Sequence, residues 1–226
     1  MNDNMKNVAY TSEYLKTFSD TYLKAITPGC SVEEEQKELG NGISILSKTS
    51  IYMYYPDNSQ IQHRVFGSEN TIFRNNTEIY SFKTINDDSR SKVFTHRNGH
   101  EYIFFKKNLY GYSILDLSAM RDFDYFPVAS FPVGETFIWC EPFYNPINNM
   151  IAVDGCFWAG PYGVILVDFN DPLSSSQQIE VSGYMEQIYH DNYDCTFHAW
   201  NGTDLILTND GIISSSEYMN WFQKRN

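Results

Sequence analysis

The sequence predicts an all-β chain of short antiparallel strands grouped into a repeating unit, with a short helix at the N-terminus. Three observations lead there. Aromatic residues make up 16% of the chain, mostly Tyr and Phe, and these side chains suit the pleated, half-buried surface of a strand. Asn-Gly, a strong hairpin-turn signal because both residues tolerate positive φ, recurs at Asn41, Asn98 and Asn201. Finally, "YGYSILDLS" from Tyr110 and "YGVILVDFND" from Tyr162 read as two copies of one phrase, each with Tyr-Gly, a run of β-forming bulk and an Asp five positions after the Gly.

In chain order, residues 1–39 read as a helical segment. Tyr14, Leu15, Phe18, Tyr22, Ala25 and Ile26 fall at helical spacing within 11–27, with a Pro-Gly stop at 28–29, and "VEEEQKEL" (32–39) adds an expected second short helix. Residues 40–226 read as a single β-repeat domain. Each unit has a strand, an Asn turn, a strand, a second turn and another strand. The first strands are "KVFTHR" (92–97), "CEPFYNPI" (140–147) and "CTFHAW" (195–200). After the Asn turns come "NGISIL", "NGHEYIFF", "NNMIAVDG" and "NGTDLILT". The strands after the second turn are "SIYMYYPD" (50–57), "GYSILDLS" (111–118), "GVILVDFND" (163–171) and "GIISSSEYM" (211–219). "FDYFPVASF" (123–131) and "QQIEVSGYM" (177–185) supply a further strand.

Units of three or four strands recurring at roughly 50–57 residues resemble β-propeller blades. The resemblance covers about residues 40–226 and implies a small or incomplete propeller. Pairing of the units as two sheets of a β-sandwich is the alternative.

Asp116 and Asp168, and more loosely Asp57, hold equivalent places at strand ends. A carboxylate there accepts hydrogen bonds from the backbone N–H groups of the following turn. One site needs one constellation, so a residue present in every unit reads as architecture, and these three are assigned to turns.

The third unit departs most from the others. It inserts "CFWAG" into "AVDGCFWAGPYG" (152–163), just after "FIWCEPFYNP" (137–146), and so concentrates Trp139, Glu141, Tyr144, Asp154, Phe157 and Trp158. Aromatic faces with a few carboxylates build ligand pockets and protein-interface hot spots. These six are the candidate partner-binding residues, against the plainer reading that Trp139 and its neighbours are packed core. A catalytic pair of Glu141 with Asp154 is the least favoured use of them.

Other chemistry finds little support. "HDNYDCTFHAW" (190–200) holds His190, Asp194, Cys195 and His198, but their spacing matches no zinc pattern. There is no G-x-S-x-G and no phosphate-binding glycine loop. No catalytic residue, metal or cofactor is therefore expected. With 16 Lys+Arg against 28 Asp+Glu, the net charge is −12, which disfavours nucleic acid and anionic membrane and suits a basic protein partner. No signal peptide or membrane-spanning run is visible, so a soluble, cytoplasmic protein with reduced thiols is expected. The leading functional expectation is a non-catalytic binding protein that engages another protein, an inhibitor or immunity-type protein being one form. The alternative is a carbohydrate or small-ligand site built from Trp139, Glu141, Asp154 and Trp158, with Asp191 or Asp194.

Overall fold

The computed structural model describes residues 31–54, 63–85, 91–107, 110–125, 137–157, 160, 162–174, 177–181, 195–208 and 211–224. The helix expected over 11–27, and Asp57, Trp158, His190, Asp191 and Asp194, lie outside these residues.

Among the described residues, four antiparallel sheets follow one another along the chain, each a simple meander. The first contains β1 (Ser31–Gly40), β2 (Ile43–Tyr54), β3 (His63–Arg74) and β4 (Thr77–Ile85). The second contains β5 (Lys92–Thr95), β6 (Glu101–Phe105), β7 (Tyr112–Asp116) and β8 (Arg121–Tyr125). The third contains β9 (Ile138–Asn145), β10 (Met150–Cys156), β11 (Tyr162–Asp168) and β12 (Gln178–Glu180). The fourth has β13 (Phe197–Asn201), β14 (Asp204–Leu207) and β15 (Ile212–Ile213), followed by helix α1 (Ser215–Lys224). Four separate sheets replace the two-sheet sandwich alternative.

The middle strands read as continuous apolar runs because both of their faces are covered. Side chains alternate across a strand, so Ile103, Phe105, Leu115 and Leu117 meet Ile43, Ile45, Ile72 and Phe82 of the first sheet. Their neighbours Tyr102, Phe104, Tyr112 and Ile114 meet Trp139, Ile151, Val153 and Val167 of the third. The alternation repeats one sheet on, where Met150, Ala152, Val164 and Leu166 pack on Leu205, Leu207 and Ile213 and on the α1 residues Tyr218, Trp221 and Phe222. Each such side chain contributes roughly 1.5–3 kcal/mol on full burial, so the sheets are held chiefly by face-to-face packing. Arg74 adds a polar tie from the first sheet to the second, donating to Glu101 Oε2 at 2.9 Å and to the Leu117 carbonyl at 3.2 Å.

The Asn turns set the hairpins. Asn41 (φ 53°) and Gly42 (φ 70°) both lie in the left-handed region, the geometry of a tight hairpin whose twist matches its strands. Asn75 (φ 48°) and Asn76 (φ 63°) repeat it between β3 and β4, a turn the Asn-Gly pattern did not single out.

Three expectations are corrected. Residues 32–39 are not helical: they belong to β1, so the β part of the chain begins before residue 40. Their Glu- and Lys-rich composition is helix-favouring, but the Asn41-Gly42 hairpin lays them against β2, where Glu34 and Lys48 are register partners joined at 3.2 Å. Charges suit this exposed edge strand, since they discourage pairing with other chains. Second, "SIYMYYPD" is not a separate strand after a turn, because β2 runs unbroken from Ile43 to Tyr54. Ser47 and Thr49 continue it by bonding across to β3, to Asn70 at 2.7 Å and Ser68 at 2.8 Å. Third, "GIISSSEYM" holds only a two-residue strand before α1 begins. Ser214 caps the helix, its Oγ accepting from Glu217 N at 3.3 Å and its carbonyl from Tyr218 N at 3.2 Å. Glu217, three residues on, completes the Ser-x-x-Glu pattern of a helix start.

Candidate functional site

The five described residues of those singled out in the third unit do not form one surface. Trp139 is fully buried, 0% exposed. Its ring lies between Tyr112 and Tyr125, both at 6.1 Å, so it is core between the second and third sheets and cannot reach a partner. Tyr144 is half-buried; its hydroxyl accepts from Arg97 N at 3.0 Å and donates to Asn149 Oδ1 at 2.8 Å, holding two turns together. Phe157 stands edge-on to Phe137 at 5.3 Å.

Glu141 and Asp154 do come together, as register partners on β9 and β10. Neither carboxylate is idle. Lys92 of β5 pairs with Glu141 Oε1 and lies 4.5 Å from the centre of the Phe143 ring. Asp154 Oδ1 accepts from Phe197 N on β13 at 2.6 Å, and Phe143 stacks on Phe197 at 4.1 Å. Burial pushes the Asp154 carboxyl up to about 6, the Phe197 N–H opposing and the neighbouring Glu141 charge adding to the shift. Three sheets meet at this cluster, joined through Glu141 Oε1 and Asp154 Oδ1. Cys195 is buried and His198 exposed, so the two do not converge as ligands.

Of the repeated Asp residues, Asp116 and Asp168 perform the turn bonding, and Asp116 does more. Asp116 Oδ1 accepts from Ser118 N at 2.8 Å and Ala119 N at 2.9 Å. Its Oδ2 meets His100 Nδ1 at 2.8 Å. Burial opposes ionisation here, but the bonds from His100, Ala119 N and Ser118 N outweigh it and hold this carboxyl below its ordinary range. Asp168 Oδ1 accepts from Asn170 N at 3.0 Å and Asn170 Nδ2 at 2.7 Å. Among the described residues, Asp168 Oδ2 accepts no hydrogen bond.

Asp168 also lines a cavity of about 440 Å³ between the end of the third sheet and α1, within the roughly 300–1,000 Å³ of small-molecule sites. The register pairs Met150 with Asp168, which puts both on the face turned toward the helix. From α1, Ser215, Tyr218, Met219, Phe222 and Gln223 project at three- and four-residue spacing along one helix face. Met150, Met219 and Phe222 form the apolar wall. Opposite them, the Tyr218 hydroxyl donates to the Thr203 carbonyl at 2.6 Å and receives Asn148 Nδ2 at 2.7 Å. Tyr218 is thus held at two points beside the apolar wall. Sequence reasoning missed the cavity because it missed α1. The signal was present in Ser214-x-x-Glu217 followed by Tyr218, Trp221 and Phe222.

Comparison with known proteins adds one similarity. Over 125 residues, 53% of the chain, the sequence is 27% identical to an uncharacterized protein, R762, of Acanthamoeba polyphaga mimivirus, and it spans 47% of that protein's length. No protein-family model matches the sequence, and no solved structure matches the chain.

Proposed function

We propose that the chain is a non-catalytic, propeller-like binding module that engages a protein partner through the cavity between the third sheet and α1. Four meanders packed face to face in chain order support the propeller-like reading. The observation that carries the function is the contrast between the two carboxylate sites. Glu141 and Asp154 each spend an oxygen on a tie to a neighbouring sheet, whereas Asp168 spends one on its own turn and lines a cavity with an apolar wall. The acidic field of the chain, −12 overall, favours a basic partner, and an intracellular inhibitor that masks such a partner is one form of this function.

Photo-crosslinking tests it. Benzoylphenylalanine at Met219, which is 46% exposed and lines the cavity, is expected to capture one stoichiometric partner in extract of the source cell. The same probe at Met120, exposed but outside the cavity, is expected to capture none. Equal capture from both positions, or from neither, overturns the reading. The cavity volume also supports a second reading, a bound small ligand, which native mass spectrometry of the purified chain would detect as a co-purifying mass.

A further inference from the structure

Resting on the reading of this cavity as a binding site, we propose that its ligand is a cationic group on an aliphatic stem, a guanidinium or ammonium of a partner's basic side chain, received by Asp168 Oδ2. The internal repeat supplies the template. Asp116 is the register partner of Tyr102, and Asp168 is the register partner of Met150. Two residues before Tyr102 stands His100, which places a ring nitrogen on Asp116 Oδ2 at 2.8 Å. Two residues before Met150 stands Asn148, whose amide is turned instead to the Tyr218 hydroxyl at 2.7 Å. The second unit therefore carries its own basic group at the repeated carboxylate, and the third has replaced it with a neutral one engaged elsewhere.

What surrounds the vacant oxygen fits a basic side chain. Among the described residues the lining holds no Lys, Arg or His, so no cationic side chain there competes for the carboxylate. Asp116 is 2% exposed, shut in by its partner, whereas Asp168 is half-buried and opens on the cavity. The Gln223 side chain, with no hydrogen bond to another described residue, offers an amide oxygen as a second acceptor for a multi-donor head. Met150, Met219 and Phe222 provide an apolar wall for the methylene stem, which basic side chains bury while their heads stay polar. A charge-assisted bond to a carboxylate is about twice as strong as a neutral one, which makes charge the selective feature.

The test is an NMR titration of the full chain with Nα-acetyl-arginine-N-methylamide and with its neutral citrulline counterpart. Saturable shifts are expected at Asp168, Asn170 and residues 215–223, with the citrulline probe at least tenfold weaker. Asp168→Asn keeps an Oδ1 for the Asn170 turn and replaces the charged open oxygen with a neutral amide donor; it is expected to weaken the arginine probe at least tenfold while the fold, checked by circular dichroism, persists. Met219→Lys, at a half-exposed helix position, is expected to fill the site with the chain's own cation and block the probe. Equal binding of both probes, unchanged binding by Asp168→Asn, or no saturable shifts overturns the inference. A crosslinked partner that binds Asp168→Asn as tightly as wild type also overturns it, but leaves the cavity as the partner's site. An arginine probe that binds as expected while crosslinking captures nothing overturns the protein-partner reading instead.

Discussion

Asp154 Oδ1 and the backbone N–H of Phe197, 2.6 Å apart, join the third sheet to the fourth through a carboxylate whose ionised form burial disfavours. Its value of about 6 in the fold, against 3.8 ordinarily, sets the sign of a pH effect. Between about pH 4 and 6 the folded chain holds a proton that the unfolded chain has released, so this group's contribution falls as pH rises through that window. Above about 6, the buried charge is a standing cost. The shift corresponds to an upper limit near 3 kcal/mol, reduced by solvent access to about 1 kcal/mol. Asp154→Asn keeps the acceptor and removes the charge. It is expected to be more stable than wild type by about 1 kcal/mol at pH 8 and equal to it near pH 4 in denaturant melts. Lower stability at pH 8 would show that the charge is stabilising and contradict this account.

Trp139 tests whether the aromatic cluster is core or surface. Trp139→Ala is expected to cost about 3–5 kcal/mol by cavity formation, measured by urea unfolding. Trp139→Phe is expected to cost much less, because the buried indole Nε1 has no hydrogen-bond partner and only ring volume is lost. Equal, small effects of both would return Trp139 to the surface.

The two repeated aspartates should differ. Asp116 uses both oxygens and is buried, while Asp168 uses one. Asp116→Ala is expected to cost about 2–3 kcal/mol and Asp168→Ala about 1 kcal/mol, compared by thermal or urea melts. The reverse order would mean that the turn bonds, and not the His100 contact, decide the energetics.

The cap on α1 frames the cavity from the other side. Ser214→Ala is expected to cost about 1 kcal/mol and to speed amide exchange in 215–218, since the Glu217 N–H loses its side-chain acceptor. An unchanged exchange rate there would show that packing of Tyr218, Trp221 and Phe222 alone fixes the helix start.

How much of this was legible in the sequence follows from which signals were local. The strands at 92–95, 101–105 and 112–116, and their counterparts at 138–145, 150–156 and 162–168, follow from turn chemistry and β-forming bulk within a few residues. β1 was hidden because its Glu- and Lys-rich composition speaks for helix, and only pairing with β2 makes it a strand. α1 was obscured by register: after three units in which a strand follows the second turn, the fourth was expected to do the same, and its cap went unread. Trp139 was misplaced because alternation does not say which face of a strand lies inside when both are covered. Asp168 was read as a turn residue, and its Oδ1 makes that turn. The open second oxygen became visible only once α1 supplied the opposite wall.

The most direct measurement is a crystal structure of the chain with Nα-acetyl-arginine-N-methylamide. Its guanidinium is expected within hydrogen-bond distance of Asp168 Oδ2, with the methylene stem against Met150 and Phe222. A probe bound elsewhere, or a cavity that stays empty at saturating concentration, contradicts this expectation.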